Sequence, residues 1–318
     1  MKILKWLTFS IAIFIVVTSV YLLFSIQKTN ATAWDISTAG FVASTSTLAQ
    51  DTVPRSVFFK DDGTKMYVAG DTNDKIFEYN LLTPWDVTTA SFFQSTSTKT
   101  PLGTISNPRG MFFKADGLSL YVQGAGAAPY NAISQYSLSS AWDISTAAWV
   151  RSISTLAQDT VPVDITFDDT GAKMYMHGFA NKKVYQYALS TPWNIATASF
   201  LRSTSTAAQD SNPRSVNFKP DGLTMYTNGY TGAKIYQYSL STAWDISTAS
   251  FFQSLSTAGQ DGDVQDVFFH SSGTKMYALG YNNKKVYQYN FNTPPTTAVS
   301  TPSHGWGAGV SAGGALNW

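Results

Sequence analysis

Five tryptophans constrain this chain more than any other feature. Trp34, Trp85, Trp142, Trp193 and Trp244 each open a near-identical unit, at spacings of 51, 57, 51 and 51 residues. The unit runs W-D/N-x-x-T-A, then Q-D-x-x-P, then V-x-F-x-x-x-G-x-K-M-Y-x-x-G, and closes on K-x-Y-x-Y. A fixed period of this size belongs to a propeller or a solenoid, because a single repeat cannot bury its apolar face and must stack on its neighbours. One domain over residues 33–293 is therefore expected.

The fourth unit shows what one repeat builds. Residues 214–219 (R-S-V-N-F-K) read as a short strand, and Pro220-Asp221-Gly222 as a tight turn. Residues 224–228, 234–238 and 250–254 supply three more strands, with the Trp244-Asp245 corner before the last. Apolar residues fall on both faces of these strands, which suits blades sandwiched between blades better than a sheet with one wet side. The chain opens with an outer-strand segment at residues 40–44 and ends with three strands, residues 265–270, 275–279 and 285–290, without a fourth. The first segment can complete the last blade and hide both open edges. The expected fold is all-β, a five-bladed β-propeller of four-stranded antiparallel blades, its ring closed by the N-terminal strand and preceded by an N-terminal hydrophobic helix.

The string P-R-S-V-x-F-x-x-D-G-x-x-M-Y-x-x-G-x-x-x-x-K-I-Y-x-Y resembles the YVTN-type and lactonase-like propeller repeats of bacterial secreted and surface proteins. The segment S-T-A-W-D-I-S-T-A-S-F is similar to tandem repeats of bacterial and phage surface proteins. The resemblance covers nearly all of residues 33–293 and implies the fold; it implies little about activity, because propellers host unrelated functions. Such families often carry more blades than the five units counted here, which leaves a longer array open.

The flanks differ from the repeats. Lys2 and Lys5 precede an apolar run at residues 6–26. It reads either as a cleaved secretory signal, with Ala31-Thr32-Ala33 as an A-x-A-like site, or as an uncleaved anchor long enough to span a bilayer. Either way residues 1–32 direct the repeats outside the cell and are the chain's sole expected membrane contact. Residues 294–318, rich in Thr, Ser, Gly and Pro, read as a flexible tail. Basic and acidic residues nearly cancel, 21 against 20, so nucleic acid is not an expected partner. Cysteine is absent, which removes disulfides and thiol chemistry.

Chain direction sorts the loops onto two faces. The outer-to-inner and second-to-third-strand connections share an upper face; the D-G turns and Trp-Asp corners share a lower one. The long second unit carries its six extra residues in two upper-face loops, the second of which holds Tyr130. Arg55, Arg109 and Arg214 top three inner strands, where Val163 and Gln265 stand in the other two. They could hold an anion by bidentate hydrogen bonds, or each could pair with an aspartate of the series Asp51, Asp159, Asp210 and Asp261. One step along, Asp164 and Asp266 replace Ser56, Gly110 and Ser215 and break the ring's symmetry. With the Asp51 series they could ligate calcium, although no calcium loop motif is present and no other cofactor is expected. His177, His270 and His304 are not expected to converge on a zinc site or a triad, and no G-x-S-x-G elbow occurs.

The expected function is a non-catalytic binding module, exported and surface-exposed, whose upper-face loops contact a protein or a surface glycan. Arg55, Arg109, Arg214, Asp164, Asp266 and Tyr130 are its candidate binding residues. The alternative is a hydrolase or lactonase-like enzyme with a metal or carboxylate site at the axial mouth.

Overall fold

The computed structural model describes residues 32–99, 106–125 and 131–291. The expected N-terminal helix, the tail beyond residue 293 and Tyr130 lie outside the described residues.

The described chain forms five four-stranded antiparallel sheets. The first blade holds β2 (Pro54–Phe59), β3 (Lys65–Gly70), β4 (Lys75–Leu81) and β5 (Ala90–Ser97). The second holds β6 (Pro108–Phe113), β7 (Ser119–Gly124), β8 (Ala132–Leu138) and β9 (Ala147–Ser154). The third holds β10 (Pro162–Phe167), β11 (Lys173–Gly178), β12 (Lys183–Leu189) and β13 (Ala198–Ser205). The fourth holds β14 (Pro213–Phe218), β15 (Thr224–Gly229), β16 (Lys234–Leu240) and β17 (Ala249–Ser256). The fifth joins β18 (Val264–Phe269), β19 (Lys275–Gly280) and β20 (Lys285–Asn290) to β1 (Gly40–Ser46) from the start of the array. In that seam Phe41 pairs with Tyr289 and Thr45 with Val286. Five repeats thus close into a ring by the route their phase predicts.

The recurring motif is a corner with a complete hydrogen-bond account. Each repeat Trp takes a positive φ, between 63° and 70°. Its N–H donates to the glycine carbonyl of the neighbouring D-G or equivalent turn, as Trp85 does to Gly63 at 3.0 Å. The following Asp or Asn caps a single 3-10 turn, as the Asp86 side chain accepts from Thr88 N. The motif threonine then reaches back, Thr89 Oγ1 to Asp86 O at 2.8 Å. Gly63 is obligatory here: its φ is +72°, and a Cβ would lie 2.4 Å from the Trp85 ring.

Blades are joined by packing and by a ring of equivalent hydrogen bonds. Each hydrophobic cluster draws on adjacent blades; Tyr67 and Ile76 of the first pack with Met111, Phe113 and Leu120 of the second. The motif tyrosine of the second strand donates to the Trp carbonyl one blade on: Tyr67 to Trp142, Tyr121 to Trp193, Tyr175 to Trp244, Tyr226 to Trp34 and Tyr277 to Trp85, at 2.6–2.7 Å. The last two of these cross the seam blade, so closure uses the same bond as every other junction. On the rim, a bulge in all five outer strands, after Phe92 in β5, leaves aromatic pairs such as Phe92 and Phe93 exposed and disrupts an otherwise regular edge.

Candidate functional site in the axial channel

The inner strands β2, β6, β10, β14 and β18 surround the axis, and successive residues along them form tiers. The uppermost tier is Arg55, Arg109, Val163, Arg214 and Gln265, which together line a cavity of about 10 Å³. Arg55 donates through Nε and Nη2 to Asp71 at 3.1 and 2.9 Å, and through Nη1 to Gln265 at 2.8 Å. Arg214 pairs with Asp263 at 3.3 Å, and Gln265 donates to the same carboxylate at 2.6 Å. The expected pairing with the Asp51 series is therefore corrected. Those aspartates instead hold backbone amides: Asp51 accepts from Val53, Thr72 and Asn73, and Asp210 from Asn212, Thr231 and Gly232. They tie the outer-to-inner loop to the second-to-third-strand loop, and three backbone amides held around each carboxylate outcompete one distant guanidinium.

The second tier is Ser56, Gly110, Asp164, Ser215 and Asp266. Both carboxylates are buried and cross-brace the ring. Asp266 of the fifth blade accepts from Ser56 Oγ at 2.7 Å and Val57 N at 2.9 Å in the first, and from Val267 N at 2.7 Å. Asp164 of the third blade accepts from Val216 N of the fourth at 2.8 Å. It presses on the second blade, where a Cβ on Gly110 would lie 2.6 Å from the Asp164 Cα and Oδ1. The symmetry break read in the sequence is thus a matched set: aspartates on two blades, and a glycine on a third that makes room. Burial pushes the Asp164 carboxyl well above its usual range, and the charge of Asp266 adds to this. Burial also pushes Asp266 up, to about 6, against its hydrogen bonds from Ser56, Val57 and Val267. Asp266 has more donors to satisfy a negative charge, so Asp164 is the more reluctant of the two to ionise.

Below this tier the channel widens into a funnel of about 410 Å³. Its walls include Phe58, Phe112, Phe167, Phe218 and Phe268, its rim Trp34, Trp85, Trp193 and Trp244, and Asp164 and Asp266 line it. Asp61, Asp168 and Asp169 complete five carboxylates among the described residues of the lining, and those residues include no lysine, arginine or histidine. The turn residues Asp61, Ala115, Asp169, Pro220 and Ser271 in the rim place the opening on the lower face. Asp164 and Asp266 were expected under an upper-face site; they line a cavity that opens among the lower-face turns. Upper-face binding loops were expected because of the two insertions, most of which fall outside the described residues.

Sequence reasoning missed the funnel. Its signal was available in the middle residue of each inner strand's V-x-F pattern, which is Phe58, Phe112 and Phe268 in three blades and Thr166 and Asn217 in two. Among the described residues no group of three or more His, Asp or Glu side chains could hold a metal ion, so the calcium set does not converge. His177 is buried between the third and fourth blades, facing Ser215 O and Thr206 Oγ1 at 3.0 Å each, and burial pushes it down to about 4. It remains a neutral interface residue. His270 lies against Trp85, outside the funnel lining.

No protein-family model matches the sequence, and no curated protein matches it. Among solved structures, the chain is similar to a Bacteroides uniformis protein described as a candidate 6-phosphogluconolactonase, at 12% identity and a TM-score of 0.47, covering 76% of this chain and 68% of that one. It is similar to the Pseudomonas aeruginosa periplasmic gluconolactonase PpgL at 13% identity and a TM-score of 0.44, covering 76% and 68%. A third, the β-propeller domain of Myceliophteria thermophila Cps50 (Swd1), gives 10% identity and a TM-score of 0.43, covering 74% and 82%. Lactonase-like propellers are thus among the structural neighbours, and likeness at this level carries no activity across to this chain.

Proposed function

We propose that this chain is an exported ligand-binding propeller whose working site is the lower-face axial funnel. The ligand is a small molecule, or the tip of a side chain, with an apolar body and a cationic head. One observation carries the reading: a cavity of about 410 Å³ walled by aromatic rings, in which every charged lining residue among those described is an aspartate. That volume suits a single small ligand, and an aromatic wall with negative charge around it favours ammonium over neutral or anionic groups. Export rests on Lys2, Lys5 and the apolar run that follows. Contact between upper-face loops and a protein or glycan stays a separate proposal.

The test is a fluorescence titration, since Trp85 and Trp193 stand at the rim. An aromatic ammonium compound is expected to bind more tightly than its neutral isostere by roughly 3- to 30-fold. Replacing Phe112 by Ala should weaken it. Equal affinity for the neutral isostere would refute the cationic assignment.

A second reading is favoured by the paired carboxylates lining the funnel. A neutral Asp164 could donate a proton to a leaving group while ionised Asp266 accepts one, as a hydrolase acting on lactones or related esters requires. Asp266 is committed to three donors, which keeps it from swinging toward a substrate. Turnover of a lactone panel that vanishes in both Asp164→Asn and Asp266→Asn would replace the binding reading with this one.

A further inference from the structure

The axial channel carries a second feature that the funnel does not use. On the upper side of the aspartate tier, three guanidiniums converge on one small cavity. Two carboxylates face them: Asp71 is bonded to Arg55, and Asp263 is shared between Arg214 and Gln265. Arg109 is the odd member. Its Nε is buried and has no hydrogen-bond partner among the described residues. Burial pushes its pKa down to about 10, and Arg55 and Arg214 push the same way while Asp71 opposes them. A buried N–H of a charged group without an acceptor is costly, and such groups are normally paired. The Asp164–Asp266 tier lies one residue further along the strands and does not supply the acceptor: Asp266 is bonded to Ser56, Val57 and Val267, and Asp164 to Val216.

We propose that the Arg55, Arg109 and Arg214 cavity is a site for one small monovalent anion, of which chloride is the type. The cavity of about 10 Å³ is the size of a single water, which admits a halide and excludes phosphate, a sugar acid or any larger carboxylate. Val163 forms part of the wall, and Gln265 completes the tier with an amide already engaged by Arg55 and Asp263. The anion balances the charge of Arg109, which has no ion pair among the described residues, and relieves repulsion among three cations drawn from three different blades. It therefore acts as a keystone of the ring, independent of whatever the lower funnel binds.

The test uses the full-length chain in a nonionic detergent, with thermal unfolding followed by circular dichroism. Sodium chloride replaces sodium gluconate stepwise at constant ionic strength, so that general screening is unchanged. The expected result is a saturable rise in Tm of roughly 5 °C with chloride. Arg109→Gln, which copies the residue found at the same position in the fifth blade, should fold and lose that rise. Crystals soaked in bromide should give an anomalous peak within the three guanidiniums of the unmodified protein. Identical curves in chloride and gluconate, a rise that survives in Arg109→Gln, or a cavity without a bromide peak would each overturn the assignment.

Discussion

Replacing Asp266 by Asn tests the reading of the carboxylate tier most directly. The Asp266 carboxyl titrates near 3.8 in its ordinary state and is pushed up to about 6 in the fold, chiefly by burial. Between those values the native state binds more protons than the unfolded chain, so stability falls as pH rises. The shift of about 2 units corresponds to roughly 3 kcal/mol, present in full below about pH 4 and lost by about pH 7. Asn cannot titrate, so this dependence should vanish from the variant. The variant also carries a constant penalty of about 1–3 kcal/mol, because its amide nitrogen must face a backbone donor, Val57 N or Val267 N. Urea unfolding followed by tryptophan fluorescence at pH 4 to 7.5 gives both curves. The wild-type minus variant difference should decline by about 3 kcal/mol across that range. Every other titrating group cancels in the difference unless it touches the pair, as Asp164 does. A difference that is flat, or that grows with pH, would refute the claim that the channel buries a carboxylate reluctant to ionise.

Three further outcomes follow from the geometry. Tyr277→Phe at the seam and Tyr121→Phe in mid-array each remove one Tyr–Trp bond and should each cost about 1–3 kcal/mol in urea unfolding; a much smaller loss at Tyr277 would mean the seam is not an equivalent junction. Gly63→Ala, at φ +72° beneath the Trp85 ring, should destabilise by about 2–5 kcal/mol, from backbone strain and overpacking together; a Tm within a degree of wild type would contradict the corner geometry. Gly110→Ser restores the residue of the first and fourth blades but forces its Cβ toward the Asp164 Cα, so it should lower Tm by several degrees despite the repeat precedent.

Much of the architecture was legible before any coordinates. The 51-residue period, the D-G turns and the Trp corners name four strands per unit, and the out-of-phase first segment names the partner of β20. These are local or periodic signals, repeated five times, so errors in one unit are corrected by the others. The site was legible only in part. Arg55, Arg109, Arg214, Asp164 and Asp266 stood out as departures from, or runs within, the repeat, and all five do line the axis. Their partners were misjudged. Asp51 seemed the natural mate of Arg55 by proximity in sequence, yet Asp71 and Gln265 hold that guanidinium, the latter from a blade 210 residues away.

The chain's own order of residues therefore determined the blade and the number of blades, through turn and strand patterns that recur within one repeat length, and the manner of closure, through the phase of its first and last segments. Tertiary structure alone decided which face opens and what faces what across the axis. Those outcomes depend on five strands from distant segments meeting at one point, where a single glycine at position 110 admits one aspartate and three phenylalanines leave a cavity below it. No pairwise spacing along the chain encodes that meeting; it arises from the sum of all five blades closing at once.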